Sequence, residues 1–557
     1  MGVLPEGGNG MSESGGVDGG SGGGRRARRR RHWPSWWYRL ILALPLLTIL
    51  YVRTGDVADQ GLANVSTFLL TLLFLLLAIP WLVFFSAYPR SIRFGLPLAG
   101  MAAIVLFFTL FTYRGVDGSL LPRFAFRYAG EPASAGPAGS ALAADGIDLR
   151  SAGADDFPGF LGADRSGVVS GVRPARDWNA SPPQQLWRRP IGAGWSGFAV
   201  VNGYAVTMEQ RGDDEVVSAS SARTGEPVWS HAIPGSFSHP LGGVGPRSTP
   251  AIDNGRVYAL GARGRLVCLD GATGRLLWEK DLLQEYGVTP EQEVLNVQYG
   301  RSNSPLIAGD LLIIPAGGNP GERIASLAAF DKRTGETIWE AGGRQISFSS
   351  PRLATLAGVE QVLIVNEDTM SGHDPATGTV LWETPWPGRT SANASASQAV
   401  PVPPDRVFVS KGYGEGSKLV RLSARPDGCC DVTEVWREPR VLRTKFTQVV
   451  IRGRHVYGLS DGTLECADLE SGERIWKEGR YGHGQILGVG DLLLILSESG
   501  ELSLVEPTPN EPNLVLGSIQ ALEGLTWNNL ALAGDLLLVR NSSEAAAYRL
   551  PLARSAP

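Results

Sequence analysis

Few residues in this 557-residue chain could do covalent or metal chemistry, and their spacing argues against most of it. The six histidines are His32, His231, His239, His373, His455 and His483. None stand at the short spacing by which two imidazoles share a metal, and no Ser-His-Asp order stands out among them, so each reads as a turn or strand-end residue. Four cysteines are too few for a disulfide scaffold and lack metal-ligand spacing. Cys429-Cys430 lies in the turn-like stretch Arg425-Pro426-Asp427-Gly428-Cys429-Cys430-Asp431 and reads as a vicinal pair on a surface turn, reduced or bridged. Cys268 and Cys466 sit inside apolar runs and read as core thiols. A last polar set consists of Ser248, Ser304 and Ser350, each just ahead of an apolar run, with Arg247, Tyr299 and Arg301 nearby. What that set can do depends on the elements that hold it.

Composition narrows those elements. Gly accounts for 71 residues and Pro for 37, and the Gly share is nearly twice the usual ~7 %, which suits a turn-rich β protein better than a helical bundle. The net charge of −4 offers no global basic field, so nucleic acid is not an expected partner.

The first 155 residues differ from the rest. Residues 1–35 form a Gly/Ser-rich tail that ends in the basic run Arg25–Arg31 and is expected to be disordered. The aromatic residues Trp33, Trp36, Trp37 and Tyr38 follow. Three apolar stretches at 36–52, 65–87 and 95–113 make a membrane anchor of three transmembrane helices over 36–113. The loop at 88–94 carries Arg90 and Arg93, whereas the loop at 53–66 carries Asp56 and Asp59 against Arg53. The positive-inside rule then puts the N-terminus in the cytoplasm and everything after residue 113 outside it, across a bacterial inner membrane. A cleaved signal peptide is the rival reading; it is disfavoured because no small-residue cleavage site follows the first span and two more spans do. Residues 114–155, rich in Ala, Gly, Pro and Ser, read as a flexible linker.

Downstream, one pattern recurs: Asp, then Thr or Ser three residues on, then Gly, then Trp four after that. It is carried by Asp270/Gly274/Trp278, Asp331/Gly335/Trp339, Asp374/Gly378/Trp382 and Asp468/Gly472/Trp476. A degenerate copy has Ser221, Gly225 and Trp229, and Trp436 follows a longer insertion. Tryptophans recurring every 40 to 60 residues or so indicate a propeller or solenoid. Within a unit, an alternating strand precedes the Asp, the Asp-to-Gly stretch is a tight turn, and the Trp lies on an outer strand as an apolar filler. The position two before each Asp is small (Ala219, Cys268, Ala329, Gly372, Cys466), as a crowded site requires. Hairpin signals such as Asn254-Gly255 mark a second pair of strands in each unit. Such units give about eight four-stranded blades, so the fold class is all-β, a propeller over 156–557 preceded by the three helices. The last unit, 530–550, lacks an outer strand, and Leu186-Trp187-Arg188 is an outer strand without a blade, so pairing the two would close the ring.

With those residues in place, 157–552 resembles the pyrroloquinoline-quinone (PQQ) repeat family, which includes the quinoprotein dehydrogenases and the outer-membrane assembly lipoprotein BamB. Ala329-Phe330-Asp331…Thr334-Gly335…Trp339 matches the family's tryptophan-docking motif. The segment Asp156–Gly167 looks like the start of PQQ-like propellers common in planctomycetes, from which Leu161 and Ala163 depart.

The resemblance implies two opposite functions. A quinoprotein dehydrogenase needs Ca²⁺ held by oxygen ligands, a carboxylate base and an aromatic floor under the quinone. The insertions at 281–297, 317–324 and 423–435 carry no clustered Asp/Glu/Asn set, and Cys429-Cys430 stands too late in the ring to match the cysteine pair that covers the cofactor in some members. The expectation is therefore a non-catalytic binding or scaffold module outside the cytoplasm, partnered by membrane lipid and a further protein, with no catalytic residue or metal ligand. A binding surface is expected where Arg247, Ser248, Tyr299, Arg301, Ser304 and Ser350 ring one mouth of the funnel. The alternative is a membrane-bound PQQ-dependent alcohol or sugar dehydrogenase that passes electrons to quinone; PQQ and Ca²⁺ belong to that alternative alone.

Overall fold

A computed structural model describes residues 33–55, 59–128, 146–150, 152–388, 394–426 and 430–553. The basic run Arg25–Arg31, His32, Asp56 and Cys429 lie outside the described residues.

Helix α1 spans Trp36–Thr54, α2 spans Gln60–Pro80 and runs on as a π turn to Phe85, and α3 spans Arg90–Leu110. All three are long and apolar enough to cross a membrane. The second and third start earlier than the hydropathy alone suggests: Asp59 caps the first turn of α2, its Oδ1 accepting from Gly61 N (2.8 Å) and Leu62 N (3.2 Å). The expected linker is shorter at both ends. Phe111–Val116 and Pro122–Phe126 pair as an antiparallel hairpin directly after α3, because alternating aromatics there stack as cross-strand pairs rather than continuing a helix. At the far end Ile147 and Leu149 are buried between the first two blades, with Gly255 N donating to Leu149 O. The Ala/Pro-rich middle of the linker is outside the described residues.

Residues 156–553 form an eight-bladed propeller of four-stranded antiparallel sheets. In ring order the blades occupy 199–234, 251–281, 306–341, 352–385, 400–438, 449–480, 485–520 and 531–549. The eighth takes its outer strand, Gln184–Pro190, from the other end of the chain, with Ala547 opposite Trp187 and Glu544 opposite Pro190. Val168–Val169 adds a short parallel strand to the inner edge of the seventh. Closure completes the eighth sheet and leaves only the short inner and outer edges that each blade has.

The recurring motif is an inter-blade joint. Each Asp oxygen folds its own turn: Asp331 Oδ1 accepts from Arg333 N and Thr334 N, both at 2.8 Å. The indole of the preceding blade then lies on the turn's glycine and donates to the carbonyl just after the Asp position. The pairs are Trp187 to Ala222 O, Trp229 to Gly271 O, Trp278 to Lys332 O, Trp339 to Pro375 O and Trp436 to Leu469 O. A Cβ at Gly225, Gly274, Gly335, Gly378 or Gly472 would sit 2.5–2.8 Å from that indole, and each of these glycines has φ near +75°. Within its own blade each Trp faces the small column: Ala219, Cys268, Ala329, Gly372 and Cys466 lie directly opposite Trp229, Trp278, Trp339, Trp382 and Trp476. The two thiols are fully buried, and burial pushes both up to about 11.

Three joints depart from the rule. Blade five lacks the Asp-to-Gly turn, so Trp382 tips inward and donates to Gln361 Oε1 of its own blade. Blade seven has no Asp-to-Gly turn, and Trp476 of blade six donates there to Thr508 O. Blade seven also has Gly517 where the Trp should be, and Trp178 from the opening segment fills the space. Cys430 begins an outer strand and is buried between blades four and five, which corrects the surface-turn reading for that residue. The 423–435 insertion simply lengthens this hairpin.

Gly335→Ala is expected to lower the unfolding free energy by about 2 kcal/mol, because φ and the Trp278 indole both exclude a methyl group. Gly343→Ala, with nothing within 4 Å of the added carbon, is expected to change it by less than about 0.5 kcal/mol. Urea unfolding of the two variants side by side measures the difference.

Candidate functional site: the hub and its mouth

Strand order sets two faces. Loops that link an outer strand to the next blade's inner strand, and loops between the middle two strands, emerge on one face; the remaining turns emerge on the other. The first face carries the funnel mouth.

Just inside it runs a chain of hydrogen bonds from blade to blade. Gly197 N donates to Thr249 Oγ1, Thr249 N to Ser304 Oγ, Ser304 N to Ser350 Oγ, Ser350 N to Gln398 Oε1 and Gln398 N to Gln448 Oε1, at 2.8–3.1 Å. Ser304 and Ser350 thus occupy the expected position, with structural duties. Ser248 does not: its neighbour Thr249 holds that place. Arg301 is fully buried, its Nε pairing with Glu293 Oε1 at 2.7 Å and its NH1 donating to Ala316 O. Arg247 does reach the hub, yet its guanidinium donates to Gly242 O and Gly245 O and lies over Phe237 at 4.8 Å; burial brings it down to about 10. Of the six expected residues, Arg247, Tyr299 and Ser350 line the cavity.

That cavity has a volume of about 690 Å³. Two residues ahead of the hydrogen-bonded position, successive blades present Trp195, Arg247, Ser302, Phe348, Ala396, Phe446, His483 and Trp527. Trp195 and Trp527 stack at 4.7 Å, Phe446 and Trp527 at 5.1 Å, and Tyr299 meets Phe348 at 5.4 Å, so the wall is largely aromatic. This column repeats in register, but its residue types vary so widely that it leaves no periodic signal in the sequence.

The chain itself narrows both ends of the cavity. On one side the opening segment crosses the hub: Phe157 pairs with Val200, Phe160 lines the cavity, and Arg165 donates to Ser304 O and Pro305 O. On the mouth side sit the tip of the 111–126 hairpin and the start of α2. Gly118 N donates to Glu498 Oε1 at 2.6 Å, and Lys445 Nζ donates to Gly118 O at 3.1 Å and pairs with Asp59 at 3.5 Å. Asn64 Nδ2 donates to Ser119 O, and Ser119 Oγ meets His483 Nε2 at 3.4 Å. Glu498 also accepts from Trp527 Nε1 and His483 N. The tip is held by charge-assisted hydrogen bonds, each worth about 1.5–3 kcal/mol. His483, read from sequence as a turn residue, lies under Gly118, and burial with Lys445 and Arg480 nearby holds its pKa well below the ordinary 6.5.

The family model described as outer membrane protein assembly factor BamB matches residues 212–478. The propeller is of the PQQ-repeat family. Quinoprotein alcohol dehydrogenase PedH of Pseudomonas putida is 23 % identical over 195 residues, 33 % of this chain and 30 % of that enzyme. The dehydrogenase subunit of the quinone alcohol dehydrogenase of Gluconacetobacter polyoxogenes is 31 % identical over 127 residues, 22 % of this chain and 16 % of the relative. The chain thus spans less than a third of the length of these curated relatives. Among solved structures, europium-containing methanol dehydrogenase aligns at a TM-score of 0.50 and 12 % identity, over 71 % of this chain and 99 % of that one. BamB from Moraxella catarrhalis aligns at 0.46 and 15 %, over 66 % and 100 %. The PQQ-like propeller has relatives of both kinds, an assembly factor and dehydrogenases.

The hub residues do not fit a calcium-held quinone. An aromatic wall is present, but among the described residues no three His, Cys, Asp or Glu side chains converge as metal ligands. The carboxylates on the cavity wall are Asp59 and Asp117, and both are engaged: Asp59 caps α2 and pairs with Lys445, while Asp117 Oδ1 accepts from Ser119 N and Leu121 N.

Seating of the hairpin keeps His483 neutral, so protonation opposes it. As pH drops from 7 to 5 the released form takes up a proton that the seated form excludes, and hydrogen-exchange protection of the residue-118 amide, which donates to Glu498 across the mouth, corrected for intrinsic rates, is expected to fall. In His483→Gln that pH dependence is expected to vanish. Gly118→Val, whose Cβ would lie 2.5 Å from the imidazole, is expected to abolish the protection at pH 7 while the propeller's unfolding midpoint stays within a few degrees.

Proposed function

We propose that the chain is a membrane-anchored propeller displayed outside the cytoplasm of a bacterial cell as a non-catalytic scaffold for a protein partner. The observation that carries this reading is the hairpin tip Gly118-Ser119 seated in the mouth of the hub, where a small substrate would have to enter. With the mouth of the hub occupied by its own chain and the carboxylates there engaged in caps and ion pairs, the outer strands and the opposite face offer the broadest accessible surface.

The anchoring half of the reading rests on three apolar helices and on charge asymmetry, with Arg90 and Arg93 on one side of the spans and Asp59 on the other. It gains support from the mouth contacts. Residues 59–64 and 118–119 both bond to the same propeller face or to each other there, and two crossings between them, α2 and α3, return the chain to one side.

The test is to add PQQ and Ca²⁺ to the purified full-length protein and follow bound quinone absorbance together with dye reduction by alcohols and sugars. No stoichiometric quinone and no turnover are expected. One quinone per chain with turnover would establish the dehydrogenase reading instead. A phosphatase fused after Pro557 is expected to be active only outside the cytoplasm.

A further inference from the structure

Exposed large apolar side chains on the propeller are sorted by place. Ile338, Val380, Val435, Ile475 and Val515 are scattered singly, one on each of five outer strands, which is ordinary for a protein surface. On the face opposite the mouth, among the described residues, Leu552 alone is exposed. The mouth face is different. It carries Leu241 and Val244, 43 % and 39 % exposed, and Val294 and Leu295, 57 % and 82 % exposed.

These four stand on two insertions in adjacent blade connections. Leu241 is at the tip of a small hairpin whose strands are Ser238–His239 and Gly243–Val244. Val294 and Leu295 are on helix α5, Pro290–Asn296, which follows the one-turn helix α4, Leu282–Tyr286. The insertions brace each other, since His239 stacks edge-on against Tyr299 at 4.8 Å and a Cβ on Gly300 would meet the Phe237 ring. Both are firmly built. Thr289 and Gln292 form a capping box at the start of α5, and Glu293 on its inner side pairs with buried Arg301. The small hairpin is pinned by Trp195 Nε1 and Arg247, which donate to Gly242 O. Rigid backbone therefore holds aliphatic side chains out into whatever lies over the mouth.

The same face receives the start of α2 and the hairpin that leaves α3, through Lys445 to Asp59 and Gly118. Continuity with these segments identifies what lies over it. We propose that the insertions at 238–244 and 290–296 rest in the interfacial layer of the bilayer, so that the propeller lies mouth-down on the lipid surface. This rests on the anchoring reading above. The contact made by these insertions is apolar: Glu291 is the exposed charge on α5, so zwitterionic lipid suffices.

The test places a nitroxide at single introduced cysteines, Leu295→Cys, Leu241→Cys, Leu76→Cys on α2 and Asp310→Cys on the opposite face, in full-length protein in phosphatidylcholine nanodiscs. The unsubstituted chain, labelled in parallel, gives the background of the native cysteines. Relaxation by oxygen, which concentrates in lipid, is compared with that by a water-soluble nickel chelate. Positions 295, 241 and 76 are expected to favour oxygen several-fold, and 310 to favour the chelate. If 76 favours oxygen while 295 and 241 favour the chelate, the lipid contact is overturned and the anchor stands. If 76 itself favours the chelate, the anchor fails and the contact with it.

Discussion

An indole laid flat on a glycine is the contact on which this molecule is assembled. Among the described residues the sheets have no backbone hydrogen bonds between one blade's outer strand and the next blade, so something else must fix their angle. The Trp supplies a large apolar face and one N–H donor, and the turn of the next blade supplies a flat patch without a Cβ and one free carbonyl. The glycine meets two demands at once, positive φ in its own turn and close approach by its neighbour's ring. The small residue opposite each Trp inside its own blade completes the slot.

Repeating that joint around a circle has a consequence at the centre. Inner strands converge, their preceding loops crowd together, and the backbone N–H groups there need partners. Ser, Thr and Gln side chains from the next blade provide them in a one-way chain. Above the chain the loops splay outward and leave room, which the protein fills with aromatic rings and then covers with a hairpin tip. The cover is bound by Glu498 and Lys445 through the backbone of Gly118, so shape and charge hold it.

Much of the fold was legible because its signal is periodic. Blade number, the Asp turns, the docking tryptophans, the small column and the closing strand around Trp187 all come from residues that every blade needs for the same packing reason. Where a blade deviates, the reading faltered in a physically sensible way. Ser248 resembles Ser304 in type, but the hydrogen-bond chain uses Thr249, because position relative to the Asn254-Gly255 turn decides which side chain reaches the neighbouring N–H. Arg301 looks like a mouth residue by composition and is instead buried against Glu293, a partner on an inserted helix. Cys430 looks like a turn residue and is covered by the neighbouring blade.

The sequence by itself determined the three apolar spans, the propeller and the way its ends join, since hydrophobic length, two-residue alternation and a repeated turn are local properties that leave a local trace. That the mouth of the hub is occupied by the chain's own hairpin is settled in three dimensions. Those contacts join residues 59, 118 and 119 to residues 445, 483 and 498, more than 300 positions downstream, and each contact is made once. A single contact between distant segments leaves no period to read, and its partners become visible only when the ring brings their loops to one mouth.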